Sequence, residues 1–226
     1  TQDNLLDVMT HAGINIRWLE NDGGCKGVCK RVSTLEFDKS LKIPACDGEY
    51  CRDEVLLPNL EQELIALEGG DAVLVLHLVG SHGPTYYQRY PEAFRKFSPD
   101  CPRSDIQNCT DREIVNSYDN TIHYDDYILS QVISLLERQP QWQSSLLYVS
   151  DHGESLGENG MYLHGMPYAF APEEQTQIPM LLWMSPEFSA TSGYNRGCIE
   201  QKADQGHFSH DNLFDSVLGL MRVTTE

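Results

Sequence analysis

The sequence lacks a long apolar run and is poor in basic residues. None of its hydrophobic segments approaches the roughly 20 residues needed to cross a bilayer, and no positively charged start precedes an apolar stretch as in a signal peptide. The chain has 34 Asp and Glu residues against 16 Lys and Arg residues, a net charge of −18. This balance argues against nucleic-acid binding, because nucleic-acid-binding proteins cluster Lys and Arg.

The chain has the size and composition of one globular domain. Its 226 residues are enough for one sizeable core. Hydrophobic residues make up 40% and charged residues 22%, which is ordinary for a globular protein. Because the sequence opens with Thr1 rather than Met, we interpret it as a mature form, an excised domain or a fragment.

Seven cysteines form three close pairs and one remainder. The pairs are Cys25/Cys29, Cys46/Cys51 and Cys101/Cys109, and the remainder is Cys198. Zinc knuckles are one interpretation of the pairs, but such knuckles come as matched halves of similar spacing, and these three spacings differ. We therefore favour three short disulfide loops in a compartment outside the cytosol. Cys198 is then a buried free thiol, or it pairs with a cysteine beyond the ends of the chain.

Hydrophobic periodicity predicts alternating helices and strands. Helical spacing predicts helices at 4–13, 57–70, 111–139 and 209–221, and apolar runs predict strands at 14–18, 71–80, 144–150 and 178–184. The segment 21–58 is expected to have little regular structure, and the segment 83–112 is expected to be a long loop. The alternation indicates an α/β fold with a mostly parallel sheet covered on both faces.

Ionisable residues follow two of the predicted strands. His82 lies just past the strand 71–80, and Asp151 and His152 directly follow the strand 144–150. Functional groups gather beyond the carboxyl ends of strands in open α/β sheets. The glycine-rich loop after His152 can bring His164 back to the same edge. Since imidazole nitrogen and carboxylate oxygen both bind zinc, this arrangement predicts a metal site.

Each of these residues also has a structural interpretation. Asp151 could cap the following turn, and His152 could be a hydrogen-bonded core residue. His82 and His164 could be ordinary histidines of glycine-flanked loops. The other histidines are interpreted as structural: His11, His77, His123, His207 and His210.

A glycine-rich loop follows the strand 14–18, with the sequence ENDGGCKGVC. Lys26 would lie inside the small disulfide ring of this loop and could contact a phosphate as a point charge, or it could be a solvated turn lysine. Asn21 could cap or position the loop.

Five segments, taken in order, carry a resemblance to a known family. They are ENDGGCKGVC, LHLVGSHGPTYYQRYP, SYDNTIHYDDYIL, SDHGESLGENGMYLHGMPYAFAP and FSHDNLFDSVLGL. Together they resemble the lipid A phosphoethanolamine transferases, which include the transferable colistin-resistance enzymes, over nearly the whole chain. The four residues DHGE alone would indicate only the wider alkaline phosphatase and sulfatase superfamily.

The resemblance implies a three-layer α/β/α sandwich of the alkaline phosphatase and sulfatase type. It implies a zinc-dependent periplasmic enzyme, held at the inner membrane by N-terminal helices. We also expect a monomer and, from the acidic charge balance, no binding of nucleic acid. Such an enzyme moves phosphoethanolamine from phosphatidylethanolamine to a lipid A phosphate through a phosphothreonine-type intermediate, which gives polymyxin and colistin resistance.

The resemblance also assigns roles by motif. Asp151 and His152 would be ligands of Zn²⁺. The second pair, His82 and His164, would contact the transferred phosphate or a second zinc ion. The third pair, Lys26 and Asn21, would belong to the site for the donor head group.

The chain departs from the family in what it does not contain. The nucleophilic threonine, a further acidic zinc ligand on the first strand, and the membrane helices lie upstream of the stretch that matches Thr1. Thr85 and Thr121 match other family positions and are not substitutes. Residues 1–226 are therefore expected to be a single catalytic-domain portion that lacks these segments and is inactive alone. The alternatives are a transferase acting on a glucan or core sugar, a sulfatase-like hydrolase, and a truncated, non-catalytic zinc-binding remnant.

Overall fold

The computed structural model describes residues 2–206 and 208–224. The strands are β1 (Asn15–Glu20), β2 (Ser33–Glu36), β3 (Ala72–His77), β4 (Ser145–Val149), β5 (Ser155–Leu156), β6 (Tyr162–Leu163) and β7 (Met180–Met184). The α-helices are α1 (Leu5–His11), α2 (Leu56–Ala66), α3 (Asp111–Glu137), α4 (Glu173–Thr176), α5 (Pro186–Thr191), α6 (Arg196–Gln205) and α7 (Leu213–Leu220).

Strand β1 lies at the centre of a parallel sheet with the order β2-β1-β3. Successive side chains of a strand point to opposite faces of its sheet. Accordingly, Ile16 and Trp18 pack in one core with residues of α1 and α7. Leu19 packs in a second core with residues of α2 and α3. The sheet is therefore the middle layer of three, and the expected α/β fold is confirmed.

Two antiparallel pairs complete the strand arrangement. Strand β7 pairs with β4, and β6 pairs with β5 in the loop that follows β4. In the part of the chain that the structure describes, β3 and β4 are not hydrogen-bonded to each other. The edge of β3 that faces away from β1 and the edge of β4 that faces away from β7 are thus both open.

The longest helix, α3, begins with two reciprocal hydrogen bonds. The Thr110 hydroxyl accepts a hydrogen bond from the Glu113 backbone N–H, and the Glu113 carboxylate accepts one from the Thr110 backbone N–H. This capping box satisfies two N–H groups that a helix start leaves free. Among the described residues, no helix combines the length and the apolar character that crossing a membrane requires.

Disulfide bonds join the three close cysteine pairs. They connect Cys25 to Cys29, Cys46 to Cys51, and Cys101 to Cys109. Sulfur binds a metal as a free thiolate, and in each pair the two sulfurs are bonded to each other instead. The structure therefore gives these six cysteines a structural role, and the zinc-knuckle interpretation of the pairs is wrong.

The two partners of a pair differ in how deeply they are buried. Cys29 is buried beside α1 and β1, while its partner Cys25 is more exposed. Cys101 is buried next to Ile106, and its partner Cys109 is half-buried at the edge of the same cluster. Each of these two rings is thus anchored in a core through one of its sulfurs.

Cys198 and β2 differ from what the sequence predicts. Cys198 lies on α6, exposed and unpaired within the described chain, so the interpretation as a buried thiol is wrong. The segment 21–58 holds more regular structure than expected, because β2 lies within it. All four side chains of β2 are exposed at the sheet edge, so no apolar pattern marks this strand in the sequence.

Candidate metal centre

Three imidazoles meet at the carboxyl ends of β3 and β4. His82 follows β3, His152 follows β4, and His164 follows β6 directly. The ring centroids of His152 and His164 are 3.8 Å apart, those of His82 and His164 are 5.1 Å apart, and those of His82 and His152 are 6.3 Å apart. The sequence prediction that these residues share one edge of the sheet agrees with this placement.

Backbone carbonyls orient two of the imidazoles. His82 Nδ1 lies 2.7 Å from the Gly83 carbonyl oxygen, and His152 Nδ1 lies 2.9 Å from the Gly153 carbonyl oxygen. Since a carbonyl only accepts hydrogen bonds, Nδ1 must donate in both contacts. In the neutral ring the proton is then on Nδ1 and the lone pair is on Nε2, which is the form that binds a metal through Nε2.

The carboxylate of Asp151 lies beside this cluster and is well exposed. Its Oδ1 atom is 3.8 Å from His152 Nε2. The nearest ligand atoms of the two residues that the sequence predicts as metal ligands therefore lie 3.8 Å apart.

Glu154 and Tyr86 complete the cluster, and sequence reasoning missed both of them. His164 Nδ1 donates to Glu154 Oε1 at 2.8 Å, and the Tyr86 hydroxyl donates to Glu154 Oε2 at 2.9 Å. Glu154 lies in the DHGE segment, three residues after Asp151, so its position in the sequence could have identified it as a site residue. Tyr86 is 68 residues away from Glu154, and no local pattern connects them.

The donor set suits a metal ion. Single ligand atoms of His152, Glu154 and His164 all lie within 4.8 Å of one another. Two imidazole nitrogens and a carboxylate oxygen form a set that zinc and other borderline divalent metals accept. A group that could hold a metal ion thus lies at the predicted sheet edge. It contains His152 and His164, adds Glu154, and does not include Asp151.

A buried polar network supports the loop that carries His82. The Asp53 carboxylate accepts hydrogen bonds from the backbone N–H groups of Val79 and Gly80 at 2.9 and 2.8 Å. Ser81 donates to Asp125 at 2.9 Å. Burial raises the pKa of Asp53, and burial together with the charge of Asp53 raises the pKa of Asp125 to about 7.

Lys26 and Asn21 lie at the end of β1 rather than within the imidazole cluster. Lys26 is exposed and adopts a positive φ of 47° inside the ring closed by the first disulfide. Asn21 is buried, and its side-chain amide donates to the Cys51 carbonyl at 3.0 Å and to Asp53 Oδ1 at 2.7 Å. Its oxygen Oδ1 has no hydrogen-bond partner among the described residues. The structure therefore gives Asn21 a positioning contact, one of the two interpretations that the sequence left open.

Three of the other histidines make contacts within the fold, and a fourth, His11, is exposed with its Nδ1 3.7 Å from Asp3 Oδ2. His77 Nδ1 lies 2.8 Å from Glu20 Oε2, and His210 Nε2 lies 2.8 Å from the Ser150 carbonyl oxygen. His123 packs against Phe94. His207 lies outside the described residues.

Comparison with known proteins gives a family and several named relatives. The family described as Sulfatase matches residues 1–223. Phosphoethanolamine transferase EptA of Escherichia coli (strain K12) is 51% identical over 227 residues, which cover 100% of this chain and 41% of that protein. The Kdo(2)-lipid A phosphoethanolamine 7''-transferase of the same strain is 32% identical over 185 residues, which cover 80% of this chain and 32% of that protein.

Two solved structures are similar over almost all of this chain. The integral membrane protein lipooligosaccharide phosphoethanolamine transferase A (EptA) from Neisseria meningitidis has a TM-score of 0.93 at 51% identity, covering 97% of this chain and 41% of that chain. The C-terminal periplasmic domain of phosphoethanolamine transferase EptC from Campylobacter jejuni has a TM-score of 0.85 at 43% identity, covering 100% of this chain and 68% of that domain. The present chain therefore spans about two fifths of the length of the full-length EptA relatives.

Proposed function

This chain belongs to the sulfatase family, among its phosphoethanolamine transferases, and on this premise we propose that it is part of an enzyme that transfers phosphoethanolamine from phosphatidylethanolamine to a lipid A phosphate. The observation that carries the proposal is the convergence of three imidazoles and the Asp151 carboxylate at two strand ends. The transferred group brings a cationic amine to an anionic phosphate. We therefore propose that the reaction weakens binding of cationic polymyxins and confers colistin resistance.

Zinc is the metal that we propose for the centre. Asp151 and His152 would hold it through Oδ1 and Nε2, the atoms that lie 3.8 Å apart, because zinc accepts this pair of ligand types. When bound, zinc supplies a Lewis acid that polarises a phosphoryl group and stabilises charge on its oxygens.

His82 and His164 are proposed to act on the transferred phosphate. Each holds its Nδ1 in a hydrogen bond, to Gly83 and to Glu154 respectively, so Nε2 is the atom left to face the reacting group. A neutral imidazole can accept a proton at Nε2 from the attacking oxygen, and an imidazolium can donate one to the leaving oxygen. Charge on the phosphoryl oxygens is the main quantity that such a site must stabilise.

The donor head group is proposed to lie near the loop that carries Lys26 and Asn21. The exposed ammonium of Lys26 can attract the donor phosphate as a point charge. Asn21 holds the start of the loop through its amide hydrogen bonds to Cys51 and Asp53, so we propose that it positions Lys26.

The open edges of β3 and β4 support the proposal that the chain is one portion of a catalytic domain. Strands at the centre of a parallel sheet are normally buried on both faces, yet every residue of β3 and β4 is only half-buried. A cavity of about 1260 Å³ separates the two strands and is lined by side chains of both, including Val73, Val75, Leu146 and Tyr148. We propose that a strand from the segment upstream of Thr1 occupies this cavity and brings the nucleophile to the centre.

We place the domain in the periplasm, at the inner membrane. The three disulfide bonds are expected in an oxidising compartment. One similar structure is a periplasmic domain and the other is an integral membrane protein. We propose a monomer that reaches phosphatidylethanolamine and lipid A through membrane helices encoded upstream.

The experiment that tests this function is mass spectrometry of lipid A from cells expressing the complete gene. We expect a lipid A species heavier by one phosphoethanolamine group. We expect Asp151→Ala and His152→Ala each to abolish that species and to lower the zinc content of the purified protein. Zinc affinity should fall by at least about 100-fold, because one of a small number of direct ligands is lost.

Asp126→Ala is the matched control, since Asp126 is an exposed carboxylate on α3 and is outside the group of residues that could hold a metal. It should retain both zinc and lipid A modification. Unchanged zinc occupancy in Asp151→Ala and His152→Ala would refute their assignment as ligands. A phosphoethanolamine group found only on a glucan or core sugar would refute the lipid A acceptor.

A further inference from the structure

We propose that Glu154 and Tyr86 are positioning residues that hold His164 and His82 with their Nε2 atoms directed at the candidate metal centre. The inference deepens the proposed function and rests on it for the role of the centre. It concerns the orientation of two imidazoles, which can be measured without metal and without turnover.

Glu154 is buried and uses both of its carboxylate oxygens. Only 7% of the residue is exposed, and a buried carboxylate is stable only where hydrogen bonds replace water. Oε1 accepts from His164 Nδ1 at 2.8 Å and Oε2 accepts from the Tyr86 hydroxyl at 2.9 Å. Because the carboxylate accepts from Nδ1, the proton of neutral His164 stays on Nδ1 and the lone pair stays on Nε2.

Tyr86 is fixed by the packing around it. It is 1% exposed and packs in a cluster with Cys101, Ile106 and Ile114. Its ring also meets that of Tyr118 edge-on, with centroids 5.7 Å apart. Because the Tyr86 ring is held in place, its hydroxyl fixes the orientation of the Glu154 carboxylate through their hydrogen bond. The carboxylate in turn fixes the orientation of the His164 ring.

The same tyrosine contacts the loop of His82. A Cβ atom on Gly83 would lie 2.6 Å from the Tyr86 hydroxyl oxygen and 2.6 Å from Leu163 Cδ2, so the Gly83 backbone rests directly on both side chains. The Gly83 carbonyl is the group that orients His82 Nδ1. Tyr86 therefore contacts the groups that orient both histidines, Glu154 for His164 and Gly83 for His82.

A direct metal contact by Glu154 is the competing role. One of its oxygens lies within 4.8 Å of ligand nitrogens on His152 and His164. Both oxygens already accept short hydrogen bonds, and the side chain is only 4% exposed. These observations favour a carboxylate that acts through His164.

The test is the tautomer of His164, measured by long-range ¹H–¹⁵N NMR on the metal-free chain with ¹⁵N-labelled histidine. We expect the Nδ1–H form in the wild type and a mixture of tautomers in Tyr86→Phe and Glu154→Gln. Zinc affinity, measured by competition with a chelator, should fall about 10- to 100-fold in both variants, as for other groups that orient a metal-binding histidine. Tyr162→Phe is the control, because Tyr162 is a nearby but more exposed tyrosine and should change neither quantity.

The outcomes separate this inference from the proposed function. A wild-type His164 that carries its proton on Nε2 overturns the positioning role whatever the variants do. Zinc binding abolished in Glu154→Gln with an unchanged His164 tautomer would make Glu154 a ligand, which also overturns it. The Nδ1–H form of His164, together with a complete protein that binds no zinc, would sustain the orientation and count against the proposed function instead.

Discussion

At the scale of single residues, the side chains around the candidate centre are closely packed, and Gly83 has no space for a larger side chain. Its backbone lies against the Tyr86 hydroxyl and Leu163, so a methyl group there must displace one of them. We expect Gly83→Ala to lower the free energy of unfolding by about 1–3 kcal/mol, the usual cost of overpacking, and to weaken zinc binding. Urea unfolding and zinc titration measure the two effects.

Gly219→Ala serves as the comparison for Gly83→Ala, because a Cβ on Gly219 would have no atom within 4 Å. Gly219 lies in α7, where alanine is favoured over glycine. The Gly219→Ala variant should therefore unfold at the same urea concentration as the wild type or at a slightly higher one. If the two variants had the same free energy of unfolding, the close packing of Tyr86 and Leu163 against Gly83 would be contradicted.

Asp125 gives the protein a pH-dependent stability. Burial and the charge of Asp53 raise the pKa of Asp125 from 3.8 to about 7. In the folded state Asp125 therefore keeps a proton that the unfolded state loses from about pH 4 upwards, so the free energy of unfolding falls as the pH rises towards 7.

We expect Asp125→Asn to be more stable than the wild type at pH 8, by about 1–3 kcal/mol, and similar to it near pH 4. The amide oxygen of Asn can still accept from Ser81, and each unit of pKa shift corresponds to about 1.4 kcal/mol. Urea unfolding at the two pH values measures the difference, with Asp126→Asn as an exposed control. A stability difference that is the same at both pH values would contradict the buried-acid account.

At the scale of elements, the disulfides replace regular structure in the loops. Residues 25–29, 46–51 and 101–109 are closed into small rings. The third ring, closed by Cys101 and Cys109, holds Ile106 in the same cluster as Tyr86. This disulfide therefore stabilises the cluster that holds Tyr86 in place beside the candidate centre.

Thiol titration tests the cysteine assignment. Because Cys198 is exposed, we expect one thiol to react in the native, unreduced protein, and the number to stay at one after denaturation. All seven cysteines should react after reduction. More than one thiol in the unreduced, denatured protein would refute the three-disulfide arrangement.

At the scale of the whole molecule, the cavity between β3 and β4 predicts that the chain is more stable with its upstream segment. A chain extended to include the next upstream strand should gain at least about 3 kcal/mol in the free energy of unfolding, since each buried aliphatic side chain contributes about 1.5–3 kcal/mol. Urea unfolding of the two chains measures the gain.

Hydrogen exchange of backbone amides tests whether the upstream strand pairs with β3 and β4. The outer-edge amides of β3 and β4, which have no strand partner in the described chain, should be protected only in the extended protein. Amides of β1 that pair with β3 should be similarly protected in both and serve as the internal control. Equal protection at the outer edges in both chains would contradict the insertion of a strand.

The sequence by itself determined the features that local spacing encodes. The period of apolar residues indicated β3, β4, β7 and the long helix α3, and the placement of His82, Asp151 and His152 after strands indicated the functional edge. It missed the exposed elements β2 and α6 and the short elements α4, α5, β5 and β6, because an exposed or very short element shows no apolar period in the sequence.

The tertiary structure decided what depends on residues far apart in the chain. The hydrogen bond between Tyr86 and Glu154 spans 68 positions, and the stacking of His152 on His164 depends on how the loop after β4 folds back. The open edges of β3 and β4 likewise follow from which strands pair. Such contacts are set by the packing of separate elements, so no spacing within a single segment specifies them.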